Sequence, residues 1–148
     1  MKLNSIWTYV IVFLAVFAVT FVYKYNSSSI EVEDFDTFYE RFLTDSTFQM
    51  SRIHFPLQGL PANADSVHFA AGYSWEAHNW DIHKKIDYAS LGYQREVQKN
   101  SDYLITENLI NPQGYGVQRR FMVDSKGKWF MIYYAAPNAV KQNNLRAG

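Results

Sequence analysis

No charged residue occurs between Ile6 and Tyr23 (IWTYVIVFLAVFAVTFVY), and Lys2 and Lys24 bracket the run. As a helix this span would rise about 27 Å at ~1.5 Å per residue, close to a hydrocarbon layer roughly 30 Å thick. Trp7, Tyr9 and Tyr23 fall where amphipathic rings rest at the water interfaces. An uncleaved membrane anchor is therefore expected. The competing reading, a cleaved secretory signal, meets a run that is long for an h-region, and Ala18 and Thr20 around Val19 make a poor cleavage site. Lys2 and the amino terminus oppose only Lys24, which favours a cytoplasmic N-terminus. The expected location is the inner (cytoplasmic) membrane, single-pass, with the C-terminal domain in the periplasm.

Cysteine is absent, which removes a cysteine-linked lipid anchor, thiol chemistry and thiolate metal sites. Fourteen basic residues balance 14 acidic ones, for a formal net charge of zero, so no basic field speaks for nucleic acid. The signs are unevenly spread. Glu31, Glu33, Asp34, Asp36, Glu40 and Asp45 crowd the start of the domain, while Arg119, Arg120, Lys126, Lys128, Lys141 and Arg146 stand near its end. Solvated faces that partly complement one another are the expected outcome.

With 148 residues the chain has room for one domain beyond the anchor. We divide it into an anchor and short tether at 1–29, an α+β domain at 30–138, and a polar tail at 139–148. In DFDTFYERFLTD the residues Phe35, Phe38, Tyr39 and Phe42 recur at helical spacing, predicting an amphipathic helix over Asp34–Leu43. Ser46 followed by Gln49 reads as a capping box opening a second, short helix to about Ser51. Pro56 pushes Phe55 toward extended backbone, so a strand leaves the helix with Ile53 and Phe55 on one side, Arg52 and His54 on the other.

Gln58–Asp65 reads as a loop and Val67–Tyr73 as a strand. WEAHNW is ambiguous between a strand end and a helical turn. Ile82–Tyr88, Tyr93–Lys99 and Asp102–Ile110 are further strand candidates, ahead of a turn at NPQGYG. Val117–Val123 and Lys128–Tyr134 flank DSKG as a hairpin. The last strand is apolar on both faces, Trp129, Met131 and Tyr133 against Phe130, Ile132 and Tyr134. One face can pack on the helices; the other needs a cavity lining, a homodimer partner or a curled sheet. Helices first and an antiparallel meander after give an α+β class, with helices packed on a curved antiparallel sheet. The tail after Pro137 is expected to fray.

The segments DFDTFYERFLTDSTFQMSRIHFPL, WEAHNW and RFMVDSKGKWFMIYYA together resemble a bacterial cell-envelope family of unknown function that shares the nuclear-transport-factor-2-like cone. The resemblance covers about Asp34 to Ala136. It implies a fold whose members include isomerases, dehydratases, polyketide cyclases and non-catalytic binding or dimerisation modules, and fold does not settle function.

His54, His68, His78 and His83 lack the spacing of a metal motif, so no metal is expected. No GxSxG, phosphate-cradling glycine loop or nucleotide fingerprint occurs, and no cofactor is expected. Trp75 and Trp80 with Asp81 are candidates for the mouth of a pocket, against plain core packing of large aromatics. Arg52 is a candidate for an anionic ligand, against an ion pair with an acidic neighbour. His54 completes the ligand-binding set. Two functions follow: non-catalytic binding of a small molecule or partner protein by a membrane-anchored envelope domain, or an isomerase or dehydratase using a pocket histidine and carboxylate, Asp81 with His54 or His68.

Overall fold

The computed structural model describes residues 30–139 together with Phe13, Val16 and Phe17. The chain divides into two units, Met1–Glu31 and Val32–Gly148. In the first, Phe13, Val16 and Phe17 are helical, with the two phenylalanine rings stacked at 6.5 Å. The rest of the expected anchor at Ile6–Tyr23, the tether and residues 140–148 lie outside the described residues. Among the described residues no helix is long and apolar enough to cross a membrane.

The second unit opens with α1, Phe35–Thr44. Asp34 caps it by accepting from Thr37 N at 2.8 Å, and its heptad-like aromatics turn Phe38 and Phe42 inward to 1% and 0% exposure. Asp45 ends α1 by donating its N–H to Arg41 O and starts α2, Ser46–Ser51, by accepting from Phe48 N at 2.9 Å. The cap is thus Asp45 and not the expected Ser46. An ionised carboxylate at a helix start outcompetes a hydroxyl one residue later. Gln49, freed from capping, is wholly buried.

Six strands form one sheet in the order β2-β1-β6-β5-β4-β3. They are β1 Ile53–Leu60, β2 Tyr73–Trp75, β3 Gln94–Ser101, β4 Leu104–Ile110, β5 Tyr115–Val123 and β6 Trp129–Ala139. Contrary to the expected meander, β1 and β6 run parallel, so the curved sheet is mixed. Pro56 sits within β1 where the β1–β6 register shifts, between Ile53 and Gln58; a bulge is where a strand tolerates a residue without an N–H. Gly59 allows β1 to approach β6 closely: a Cβ there would lie 1.8 Å from Tyr134 O.

Two further expectations are corrected. Val67–Tyr73 is not a strand: Ser66–Ala71 forms a helix, α3. Asp65 accepts from Val67 N and His68 N at its start, a local cap that overrides β-propensity. Ile82–Tyr88 is not a strand either, but part of an irregular segment between Trp80 and β3. Its backbone bonds go to helix and side-chain partners, among them Lys85 N to Leu43 O at 3.2 Å. β6 runs on through Pro137 to Ala139 instead of fraying there, because Asn138 accepts from Ala64 N at 2.6 Å and donates to Pro61 O at 2.9 Å.

The core lies between α1, α2 and the sheet. Phe121 at its centre is fully buried and meets the rings of Phe35, Phe38, Tyr39 and Phe42 at 5.5 to 5.9 Å, geometries that aromatic pairs favour. Trp129 and Met131 share this core, but Tyr133 does not follow them as simple alternation requires. The register shift between Arg120 and Phe121 sends Tyr133 to the Arg120 guanidinium, 4.5 Å away. It brings Tyr134 against Trp75, Trp80 and His83. A bulge exchanges the faces of everything beyond it.

A saturated carboxylate beside an open cleft

Strand alternation places Ile105, Glu107 and Leu109 on one face of β4, at 6%, 1% and 2% exposure. Glu107 therefore occupies a position that an apolar residue would normally fill. Directly opposite it on β5 stands Arg119, 5% exposed and next but one to Phe121. Burying such a charge is tolerable only with a partner and further hydrogen bonds. Both are present. Arg119 Nη1 donates to Glu107 Oε2 at 3.2 Å, Arg95 Nε donates to Glu107 Oε1 at 2.7 Å, and the Tyr39 hydroxyl donates to the same Oε1 at 2.5 Å.

The cluster extends outward. Arg119 Nη1 also donates to the Tyr39 hydroxyl at 3.1 Å, and Nη2 to the Tyr88 hydroxyl at 3.3 Å. Arg119 Nε is buried without a partner among the described residues. Burial pushes the Tyr39 phenol well above its ordinary pKa, against the pull of Arg119, so the hydroxyl stays protonated and keeps donating.

The irregular segment after Trp80 crosses this end of the sheet and is pinned on both sides. Gln49 holds it on the helix side. Its Nε2 donates to Phe42 O at 2.6 Å and His83 O at 2.7 Å, and its Oε1 accepts from Trp80 Nε1 at 3.2 Å and His83 N at 2.8 Å. On the sheet side the bond from Arg119 to Tyr88 holds it. His83 is wedged between Trp80 and Tyr134, each ring centroid 4.6 Å away. Desolvation, followed by the Arg119 charge, lowers its pKa to about 3.

Between this strap and β3 lies an open cleft of about 620 Å³, lined by residues 85–89 with Tyr93 and Arg95. Its walls are mainly carbon, and it is broadly open to solvent. Tyr88 and Arg95 connect it to Glu107 and Arg119 beneath.

The residues singled out from sequence occupy other places. Arg52 forms an ion pair with Glu33 at 2.9 Å, donates to Trp129 O at 3.1 Å and lies over the Phe48 ring. His54 is exposed and stacks on Phe130 at 4.4 Å. Trp75 and Trp80 do meet, edge to face at 6.2 Å, with Trp80 buried and bonded to Gln49. Trp75 Nε1 donates to Tyr134 O at 3.0 Å. Asp81 is exposed, and His68 is engaged with Asp65. Among the described residues no three His, Asp or Glu side chains are arranged to hold a metal ion.

Glu107, Arg119, Arg95, Tyr39 and Tyr88 were not marked in advance as site residues. A signal existed in the sequence: LITENLI and VQRRFMV each carry a charge at a position whose neighbours two residues away are apolar, the pattern of a charge on a buried face.

No protein-family model and no curated protein sequence matches the chain. Among solved structures, the crystal structure of an NTF2-like protein from Bacteroides fragilis is similar over 71% of this chain, with a TM-score of 0.50 and 22% sequence identity. The likeness covers 47% of that chain, so the present chain spans less than half of its length. What the likeness carries is architecture: the domain has the nuclear-transport-factor-2-like fold, with a curved six-stranded sheet and few helices.

Proposed function

We propose that the domain is a non-catalytic binding module that seats a small molecule in the cleft between the strap and Arg95. One observation carries this reading. Glu107, the one buried carboxylate among the described residues, accepts from Tyr39, Arg95 and Arg119. A general base needs a free acceptor within reach of the substrate's proton and a pKa near the working pH. Glu107 is 1% exposed and its carboxylate is turned to these three donors, out of a substrate's reach, and the nearby His83 stays neutral at physiological pH. The arrangement positions and recognises; it does not move protons.

An isomerase or dehydratase built on Asp81 with His54 or His68 would need those groups to converge, whereas His54 packs on Phe130 and His68 on Asp65. Native mass spectrometry of the full chain released from detergent tests the binding reading. We expect an adduct of small-molecule mass that disappears in Ala89→Trp, which fills the cleft. Absence of any adduct, or its persistence in that variant, would count against the site. The same spectrum reports whether the chain is a homodimer.

We propose further that Ile6–Tyr23 anchors the chain in the inner membrane with the domain in the periplasm. The charge-free run between Lys2 and Lys24 supports this. Resistance to alkaline extraction, together with digestion by protease added to spheroplasts, is the expected outcome; extraction or protection would overturn it.

A further inference from the structure

We propose that the ligand of the cleft is an apolar organic monocarboxylate whose carboxylate is held by Arg95, with its carbon body against Tyr88, Tyr93, Ile86 and Ala89. The proposal rests on the binding reading above and names the class of ligand for that site.

The inference begins with Arg95. Its Nε is spent on Glu107 Oε1, which fixes the guanidinium plane, and its ring-facing side lies 4.9 Å from the Tyr39 centroid. Among the described residues its two terminal nitrogens have no hydrogen-bond partner, and 41% of the side chain is exposed where it lines the cleft. A guanidinium immobilised through Nε presents its remaining edge as a ready-made fork. Two parallel N–H groups in that fork match the two oxygens of a carboxylate.

Charge points to a single negative ligand. Around the buried Glu107, Arg119 from within and the partly exposed Arg95 from the cleft side oppose a single carboxylate, leaving one positive charge in excess, and Arg119 Nε is unpartnered. Tyr39 is protonated and His83 neutral, so neither offsets that excess. The other charges facing the cleft are engaged and exposed. Lys85 Nζ is gripped by Glu40 at 2.7 and 2.8 Å, and Asp87 Oδ1 accepts from Ser90 N at 3.2 Å. Asp87 keeps its negative charge, and solvent screens both of these exposed groups more than it screens Glu107 and Arg119. One carboxylate neutralises the cluster; a dianionic phosphate would over-compensate it in apolar surroundings. The Tyr88 and Tyr93 rings, 6.2 Å apart and edge to face, supply the wall for a hydrocarbon or aromatic body.

The test is titration of the full chain in zwitterionic nanodiscs with benzoate, 4-phenylbutyrate and octanoate, each beside its primary amide, and with inorganic phosphate. We expect at least one carboxylate to bind ten-fold or more tighter than its amide, and phosphate to bind more weakly than that carboxylate. Arg95→Gln should bring the acid down to the level of the amide. Arg95→Lys, which keeps the charge and loses the fork, should fall between. Circular dichroism of each variant separates lost recognition from lost folding, and Arg95→Lys keeps a positive charge beside Glu107 while removing the fork. Equal binding of acid and amide overturns the carboxylate assignment while leaving a small-molecule site. Tighter binding of phosphate, or undiminished carboxylate binding in Arg95→Gln, overturns it too. Binding of none of the probes also overturns it, and the mass-spectrometric adduct then tells whether the broader reading survives.

Discussion

The domain contains two arginine–glutamate pairs in very different settings. Arg52 and Glu33 sit at the margin of the core, with 15% and 19% of their side chains exposed, and Glu33 is met by several donors. Glu33 also accepts from Trp129 N, its carbonyl accepts from Trp129 Nε1 at 2.7 Å, and Lys128 lies 4.0 Å off. Arg119 and Glu107 are buried at 6% and 1%, yet there the cationic side is in surplus and a nitrogen is left unpartnered. The first pair fastens the chain leading into α1 to the β5–β6 hairpin. The second links β4 to β5 and, through Arg95 and Tyr88, to β3 and the strap. A buried pair adds little stability over apolar replacements, so its presence in a β-sheet face that could have been Leu and Val calls for another use.

Four measurements break or sharpen that contrast, all by denaturant unfolding of the folded domain. Glu107→Gln leaves Arg119 buried without a counter-charge and should cost about 3–5 kcal/mol. Gln49→Ala strands the indole of Trp80 and the amide of His83, and should cost about 2–3 kcal/mol while loosening the strap. Glu33→Gln, at the better-solvated pair, should cost about 1.5 kcal/mol; a loss equal to that of Glu107→Gln would erase the distinction. The smallest effect depends on pH. The unfolded His83 takes up a proton near pH 6.5 and the folded one resists until about 3. Between those values the unfolded state holds more protons, so acidification weakens the fold. His83→Phe should remove that slope and be more stable than the parent by about 1 kcal/mol near pH 5.5. Parallel pH profiles would show that His83 is not the desolvated neutral group described.

The first two helices and the closing hairpin were legible because their signals are local: aromatic spacing in DFDTFYERFL and a glycine turn between apolar strands. Most of the errors occur where a distant partner decides, and one where a local cap does. Nothing near Ile53 announces that its strand will lie parallel to β6. The bulge at Arg120 that exchanges Tyr133 for Tyr134 depends on pairing across the sheet. Asp65 overrode the β-branched look of Val67 through one cap. The site was missed for a related reason. Arg52 and Asp81 stood out as charges beside aromatics, but what distinguishes Glu107 and Arg119 is their mutual register across β4 and β5, which becomes visible only once the strands are aligned.

The parallel contact of β1 with β6 also bears on how the domain comes into being. β6 is the last of the described strands and lies between β1 and β5 in the sheet. Until it emerges from the ribosome, the β1–β2 ladder and the β5–β4–β3 ladder have no backbone connection to each other, and each presents a raw edge to its surroundings. Completion of the sheet is then a late event that joins segments far apart in the chain, the kind of closure that slows folding.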